Sequence, residues 1–377
     1  MSKPRSPIPM PADVARTVGG YGEKIQNRSL LLEKFPIHKE YGFDRRFHDA
    51  SRHSLLRIAE KGSEMLRSDA EDKRYRAGGR NVNPHNKESL QKDAAQSELL
   101  SRTSCDKPEL LALRASQAKC IREKVMNSFG DNGFSVLAKL EGRLAINLAD
   151  GLIENAGICL DRLFGLPYVP GSAVKGVSRH AGLWRVRSLP SEEREDALIV
   201  FAKTFGFGTV ETKHKTFSKT ERKEKPTDLA WALDDGLDKE RFDSFIDRLK
   251  SETTARDNSL QGGVSFFPAY PISPDAKIVV DLTNAHYPDY YRRQDLQELK
   301  KESPRPNPFP TVEKGTTFSF LAVLNGTGFR HSTPSHLLEF ARESLAHALT
   351  KNGLGAKTGA GYGWFSLQKE EKTKETA

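Results

Sequence analysis

The residue pattern with the most chemical content is Gly353-Leu-Gly-Ala-Lys-Thr-Gly-Ala-Gly-Tyr-Gly-Trp-Phe365, near the end of the 377-residue chain. Five glycines alternate with small residues around a single lysine. Glycine admits backbone conformations that other residues avoid and lets a ligand reach main-chain amides. Open amides beside Lys357 are the chemistry that cradles phosphates. Gly355, Gly359 and Gly361 would allow close approach, while Lys357 and Thr358 would supply a charge and a hydroxyl. The alternative is a plain flexible turn into a terminal strand. Two nucleotide signatures are excluded. A Walker A loop needs glycine immediately before its lysine, where this chain has Ala356. A dinucleotide fingerprint follows a strand and opens a helix, whereas this loop leads into a strand.

A second glycine-framed stretch, Gly165-Leu-Pro-Tyr-Val-Pro-Gly-Ser-Ala-Val-Lys-Gly-Val-Ser-Arg179, reads as a helix start. Pro170, Gly171 and Ser172 give the opening signal, and Ser172 is placed to cap free amides. Ala173, Val174, Val177, Ala181 and Trp184 recur at helical spacing as a core face. Lys175 and Arg179 stand four apart on another face. Two cations at a helix N-terminus offer a phosphate site; a merely solvated charged face is the alternative.

A third cluster joins His286, Tyr287, Asp289 and Tyr290, with Asp281 upstream. These are residue types of a metal or acid–base site. The pattern fits better an Asp281 that ends a strand and aromatics that pack on an insertion. His286 and Tyr287 also suit stacking on bases or pairing with phosphate. Phe205, Phe207, Tyr362 and Trp364 are further candidates for base contacts, with Trp184 and Phe365 expected to be buried. Ser172-Ala-Val-Lys175 has the spacing of a Ser-x-x-Lys acyl enzyme, and Lys357-Thr-Gly359 matches a companion signature. The third signature, Ser-Asp-Asn, is missing. Cys105, Cys120 and Cys159 have no Cys-x-x-Cys partner, so reduced thiols and no zinc site are expected. No catalytic residue, metal or cofactor is assigned.

These groups need a scaffold. Residues 1–46 are Pro-rich and read as extended. Phe47 to Arg67 can form an amphipathic helix, and Ser68 to Lys107 reads as a polar loop. Pro108 to Phe129 returns to helical spacing. Phe134 to Leu148 alternates as a strand. After the helix at Ser172 comes another from Ser191 to Phe205, then a lysine-rich surface loop from Lys213 to Lys225 and a helical insert from Lys239 to Lys250. Strands are predicted at Gly263–Ala269, Lys277–Leu282 and Thr316–Leu324, with a Pro-rich excursion from Pro288 to Pro310. Ser335 to Lys351 is helical, and Tyr362–Leu367 is the last strand.

Stripped of insertions, this is an α+β chain with a ferredoxin-like, RRM-like βαββαβ core. The predicted domains are a mostly helical N-terminal extension over 1–129 and a core over 130–368 with insertions at about 206–260 and 284–314. A disordered tail over 369–377 follows. By this topology both basic glycine elements fall near one edge of the sheet.

The formal charge of +9 favours polyanions as partners. No apolar run is long enough to span a bilayer, and the start of the chain has no apolar signal core. A cytoplasmic protein without membrane contact is expected.

Taken together, Tyr168-Val-Pro-Gly-Ser-Ala-Val-Lys-Gly with Arg179, and the late glycine loop, resemble the RAMP superfamily of CRISPR-associated RNA-binding proteins. Gln261-Gly-Gly-Val-Ser-Phe-Phe-Pro-Ala-Tyr-Pro271 looks like that family's central strand. Asp281-Leu-Thr-Asn-Ala-His-Tyr-Pro-Asp-Tyr-Tyr291 resembles a signature of the sixth-subunit family of the Cmr complex, the type III-B effector, as does Asn27-Arg-Ser-Leu-Leu-Leu-Glu-Lys-Phe35. The resemblance implies a Cas7-like fold, and contact of both glycine elements with the backbone of the CRISPR RNA. It also implies target single-stranded RNA and neighbouring RAMP subunits as partners. The cutting relative in this family uses an aspartate after its first strand, where this chain offers Asp150, Glu154 and Asp161. The sixth subunit is by resemblance a structural RNA-binding member. An endoribonuclease and a protein-only scaffold are the competing readings.

Overall fold

A computed structural model describes residues 11–18, 27, 29–30, 67–79, 82–104, 108–149, 157–218, 220–234, 238–273, 276–285, 305–325 and 334–368. In chain order these form α1 (Ala12–Val18), α2 (Pro84–Ser104), α3 (Pro108–Phe129), β1 (Gly133–Leu140), α4 (Gly171–Ser188), α5 (Arg194–Phe205), β2 (Gly206–Phe207), β3 (Lys215–Ser218) and β4 (Lys223–Pro226). Then follow α6 (Asp228–Leu233), α7 (Lys239–Ser251), β5 (Leu260–Gln261), β6 (Val264–Phe266) and β7 (Tyr270–Pro271). The last elements are β8 (Ile278–Ala285), β9 (Arg305–Val312), β10 (Thr317–Leu324), α8 (Pro334–His347) and β11 (Phe365–Leu367). The chain divides into two compact units. One comprises Met1–Ala115, Ala145–Pro167 and Pro274–Glu313; the other Ser116–Leu144, Tyr168–Ser273 and Lys314–Ala377.

The second unit is built on an antiparallel sheet of order β11-β1-β10-β6, with β7 also paired to β10. β10 is the central strand because its apolar run, Phe318 to Val323, is buried on both faces. β1 alternates: Val136, Ala138 and Leu140 are buried while Lys139 is exposed. Phe365 of β11 meets Phe318 and Phe320 edge-on at 6.1 and 5.5 Å, which fixes the last strand against the core. Helices α4 and α8 pack on each other, and α5 packs on both. A helical core of Val186, Phe201, Phe205, Phe242, Phe245 and Leu249 lies beneath them. In the first unit, β8 and β9 pair along their whole length, from Ile278↔Val312 to Ala285↔Arg305. There Asp69 accepts hydrogen bonds from Lys73 and Ser97, both 2.8 Å, tying helical residues 67–77 to α2.

Several elements differ from the sequence reading. The segment read as extended contains α1, and the polar stretch read as a loop is helical over 67–77 and α2. Good helix formers such as Lys, Glu, Gln and Ala carry α2 without a strong apolar stripe, so periodicity misses it. The lysine-rich loop is a hairpin, β3–β4, with Phe217 62% exposed on it. Part of the Pro-rich excursion is strand β9. Its prolines, Pro306, Pro308 and Pro310, fall at alternate positions and so lack N–H groups on one edge alone. The intervening residues keep their donors for β8, an arrangement an edge strand tolerates. β1 stops at Leu140, well short of Leu148. The amphipathic helix expected from Phe47 lies outside the described residues except at its end, as does the tail from Lys369.

Candidate nucleic-acid interface

Helix α4 starts where β6 passes toward β7. A side chain on Gly171 would put its Cβ 2.4 Å from the Phe266 carbonyl oxygen, so only glycine lets the helix end abut that strand. The N-cap is Pro170 at φ −57°, with no side-chain cap. Ser172 is therefore inside the first turn and exposed, not the capping residue the sequence suggested. The Pro170 carbonyl accepts from Ala173 and Val174 at 2.9 and 3.1 Å. Among the described residues, the amides of Gly171 and Ser172 have no acceptor. Such open donors and the helix dipole together favour an anion.

Lys175 lies one turn in, and helical geometry tilts its side chain toward this end. It is half-buried and makes no ion pair among the described residues. Burial, and then the charge of Arg179, hold its pKa below the ordinary lysine value of 10.5. Arg179 is differently placed. Its guanidinium pairs with Glu211, and with Asp228 at 2.8 Å, and lies 5.2 Å from the centre of the Phe201 ring. Glu211 is itself fixed by the Gly208 amide at 3.0 Å. These carboxylate partners were not legible in the sequence, because they lie 32 and 49 residues from Arg179.

The glycine loop is a built structure rather than a slack turn. α8 runs into a π turn, Ala348–Asn352, and Gly353 closes it by donating to the Ala348 carbonyl at 2.9 Å. Leu354 donates to Gly363, and Gly363 to the Arg143 carbonyl, each at 2.8 Å. At Gly363, φ is +68° and an added Cβ would lie 1.8 Å from the Leu354 carbonyl oxygen. Trp364 Nε1 donates to the Thr358 carbonyl at 3.0 Å and pins the tip. Lys357 is exposed and left-handed, at φ +60° and ψ +29°, and precedes a short 3₁₀ turn, Thr358–Ala360. A left-handed lysine costs about 1–2 kcal/mol. Gly359 and Gly361 are exposed, and a Cβ on either would meet nothing within 4 Å. Gly355 is exposed at φ +100°. The amides of Thr358 and Gly359 have no acceptor among the described residues.

The two elements reach the sheet on different strands. Gly361 and Gly363 abut Gly142 and Arg143, just past β1, and the loop enters β11 opposite Leu140. Helix α4 begins against Phe266 of β6, across the sheet. The expectation of one shared edge is thus corrected to the two sides of one sheet path.

His286 and Tyr287 lie outside the described residues, as do Asp150, Glu154 and Asp289. Asp161 is present, and its carboxylate accepts from the Leu163 and Phe164 amides at 2.9 and 2.7 Å, forming a turn. Phe205 and Phe207 are buried, so neither offers a face to a base. Phe365 is buried as expected, but Trp184 is 50% exposed. Neither Cys120 nor Cys159 is in a disulfide. Among the described residues no three His, Cys, Asp or Glu side chains cluster as metal ligands, and no helix is long and apolar enough to cross a membrane.

Residues 153–366 match the RAMP superfamily. Over 238 residues the chain is 29% identical to the protein described as CRISPR system Cmr subunit Cmr6 of Pyrococcus furiosus, covering 60% of this chain and 65% of that one. It thus spans just under two thirds of that relative's length. It is similar in structure to a chain of the type III-B Cmr-β complex bound to cognate target RNA, at 19% identity and TM-score 0.43, over 84% of this chain and 91% of that one. The crystal structure of Cmr6 from Pyrococcus furiosus is similar at 25% identity and TM-score 0.31, over 63% and 98% of the two chains.

Proposed function

The chain belongs to the RAMP superfamily, and on that premise we propose that it is a non-catalytic, RNA-holding subunit of a type III-B CRISPR effector complex. Its ligand would be the 3′ part of the CRISPR RNA, with target single-stranded RNA and neighbouring RAMP subunits as further partners within the assembly. The likeness to a Cmr subunit over 238 residues supports this reading. The sheet order β11-β1-β10-β6, with α4 after β1 and α8 after β10, supports a ferredoxin-like core beneath it.

The observation that carries the proposal is Lys175. A lysine that is half-buried, crowded by Arg179 and without an ion pair among the described residues gains from an incoming anion. Two open amides at the start of α4 stand beside it. A backbone phosphate of RNA satisfies all three at once. The exposed Lys357, with the bare surface of Gly359 and Gly361, supplies a second phosphate contact. Contacts of this kind carry no base information, which suits a guide whose sequence varies. Arg179 acts here as a positioning residue: its own charge is met by Glu211 and Asp228, and it presses on Lys175 rather than binding phosphate itself. The turn-forming role of the Asp161 carboxylate supports a binding subunit over a nuclease.

Binding of labelled single-stranded RNA to the purified chain tests this. Lys175→Met and Lys357→Gly are each expected to weaken binding and to lower the slope of log affinity against log salt by about 0.7. The RNA should stay intact with or without divalent metal. Unchanged slopes in both folded variants would return the chain to the protein-scaffold reading, and cleavage lost on Asp161→Asn would make it a nuclease.

A further inference from the structure

Residues 213–225 carry six lysines and arginines against two glutamates, an excess of four where the whole chain has an excess of nine. The stretch forms the hairpin β3–β4, paired from Lys215↔Pro226 to Ser218↔Lys223. Directly paired residues share a face of the hairpin, and neighbours along a strand alternate between faces. One face therefore carries Lys215, Phe217, Glu224 and Pro226, the other Thr216, Ser218, Lys223 and Lys225. All eight are exposed or half-buried, so neither face is packed into core.

The second face meets its charge internally: Glu221, at the turn, pairs with Lys223 at 3.3 Å and with Lys225. The first does not. Phe217 is 62% exposed, and among the described residues no ring or cation lies against it. Lys215 and, at the tip, Arg222 are exposed and make no ion pair among the described residues. Arg222 is left-handed at φ +53°, so its charge, like that of Lys357, is presented from a strained backbone.

The make-up of this face separates two kinds of partner. A protein interface buries an apolar core depleted of charge, whereas Phe217 shares its face with Lys215, Glu224 and Pro226. An unpaired nucleotide asks for the reverse, a ring for its base with cations beside it for its phosphates. The positive excess of the hairpin selects the same partner. A duplex keeps its base faces stacked, so the ligand is single-stranded. The hairpin also springs from the part of the second unit that holds Lys175. Thr227, just past β4, donates from Oγ1 to the Lys213 carbonyl at 2.7 Å and to the Glu211 carbonyl at 3.4 Å. Glu211 in turn pairs with Arg179, one turn along α4 from Lys175.

We propose that Phe217 stacks on an unpaired base of single-stranded RNA, with Lys215 and Arg222 meeting its backbone. This rests on the RNA-holding reading above and adds a base contact to it, where Lys175 and Lys357 offer phosphate contacts alone. Every base has a face to stack, so the guide sequence stays free to vary.

The full chain is titrated with labelled oligouridylate and with the same ribose-phosphate strand lacking its bases. The wild type should bind the base-bearing strand about five-fold or more tightly than the abasic one. Phe217→Leu keeps an apolar side chain but removes the ring. It should bring oligouridylate down to the abasic affinity without altering the salt slope, and Phe217→Tyr should restore the difference. Lys215→Met should lower the slope by about 0.7 for both strands. These side chains are exposed, so thermal midpoints should not move. Thiouridine photocrosslinking of the wild type, which needs no variant, should mark residues 215–226. Equal binding of the two strands, a Phe217→Leu variant equal to the wild type, or no crosslink in the hairpin overturns the proposal. If Lys175→Met still weakens binding, those results leave the phosphate-holding reading intact; a wild type that binds neither strand overturns both. A Phe217→Leu variant that spares RNA but no longer co-purifies with neighbouring subunits makes the hairpin a protein contact, and the proposal falls.

Discussion

At the scale of single residues, Lys357 presents its charge from a strained, left-handed backbone. Lys357 holds a backbone conformation that suits glycine or asparagine better. Lys357→Gly should therefore leave the thermal midpoint unchanged or raised while RNA affinity falls, and a lowered midpoint would show that the lysine is there for the fold. Gly359 is the complementary probe. Its φ is ordinary and its surroundings are open, so Gly359→Ala should fold normally and weaken only a ligand that comes close. Lys175 makes a pH prediction. Its folded pKa lies below 10.5, so between the two values the unfolded chain binds more protons and stability rises with pH. A bound phosphate restores the charge, so RNA affinity should fall as pH rises through the lowered value. Lys175→Met should flatten both trends. Spacing was enough to single these residues out as candidates. The left-handed turn at Lys357 and the carboxylates that hold Arg179 were not, because tertiary contacts set them.

Elements built from local signals were the most legible. α3 and α5 are richer in apolar residues than α2, and β10 has a run that is apolar but for Ser319, so each lies close to its predicted place. What escaped were elements whose reason lies elsewhere: the polar helix α2, the charged hairpin β3–β4, and β9, whose alternate prolines read as a loop until a partner strand is known. The same logic governs how elements are joined. Lys203 of α5 is buried, 4% exposed, and its ammonium meets Glu252 just past α7 at 3.3 Å. Removing the carboxylate strands a buried charge, whereas replacing the lysine by an apolar chain does not. Glu252→Gln should cost about 2–3 kcal/mol in urea unfolding, and Lys203→Met less than about 1 kcal/mol. Equal costs would mean the pair is held by packing alone.

For the whole molecule, the RNA-binding proposal divides into two forms: nine excess positive charges acting as a diffuse field, or placed groups. The two possibilities differ in what salt does. A diffuse field is screened beyond about 8 Å at physiological ionic strength, so removing any two exposed lysines should matter alike. Placed groups displace counterions one by one, so only lysines at the contact change the slope. The double variant Lys175→Met with Lys357→Gly should lower the slope by about 1.4, the sum for two phosphates on a single strand. Lys239→Met with Lys250→Met removes the same charge from α7 and should change the slope little, though it shifts affinity slightly at low salt. Equal slopes for the two doubles would mean that the basic composition, and not the glycine elements, holds the RNA. A steep drop for the first double alone would tie RNA binding to the two glycine-framed ends of one antiparallel sheet.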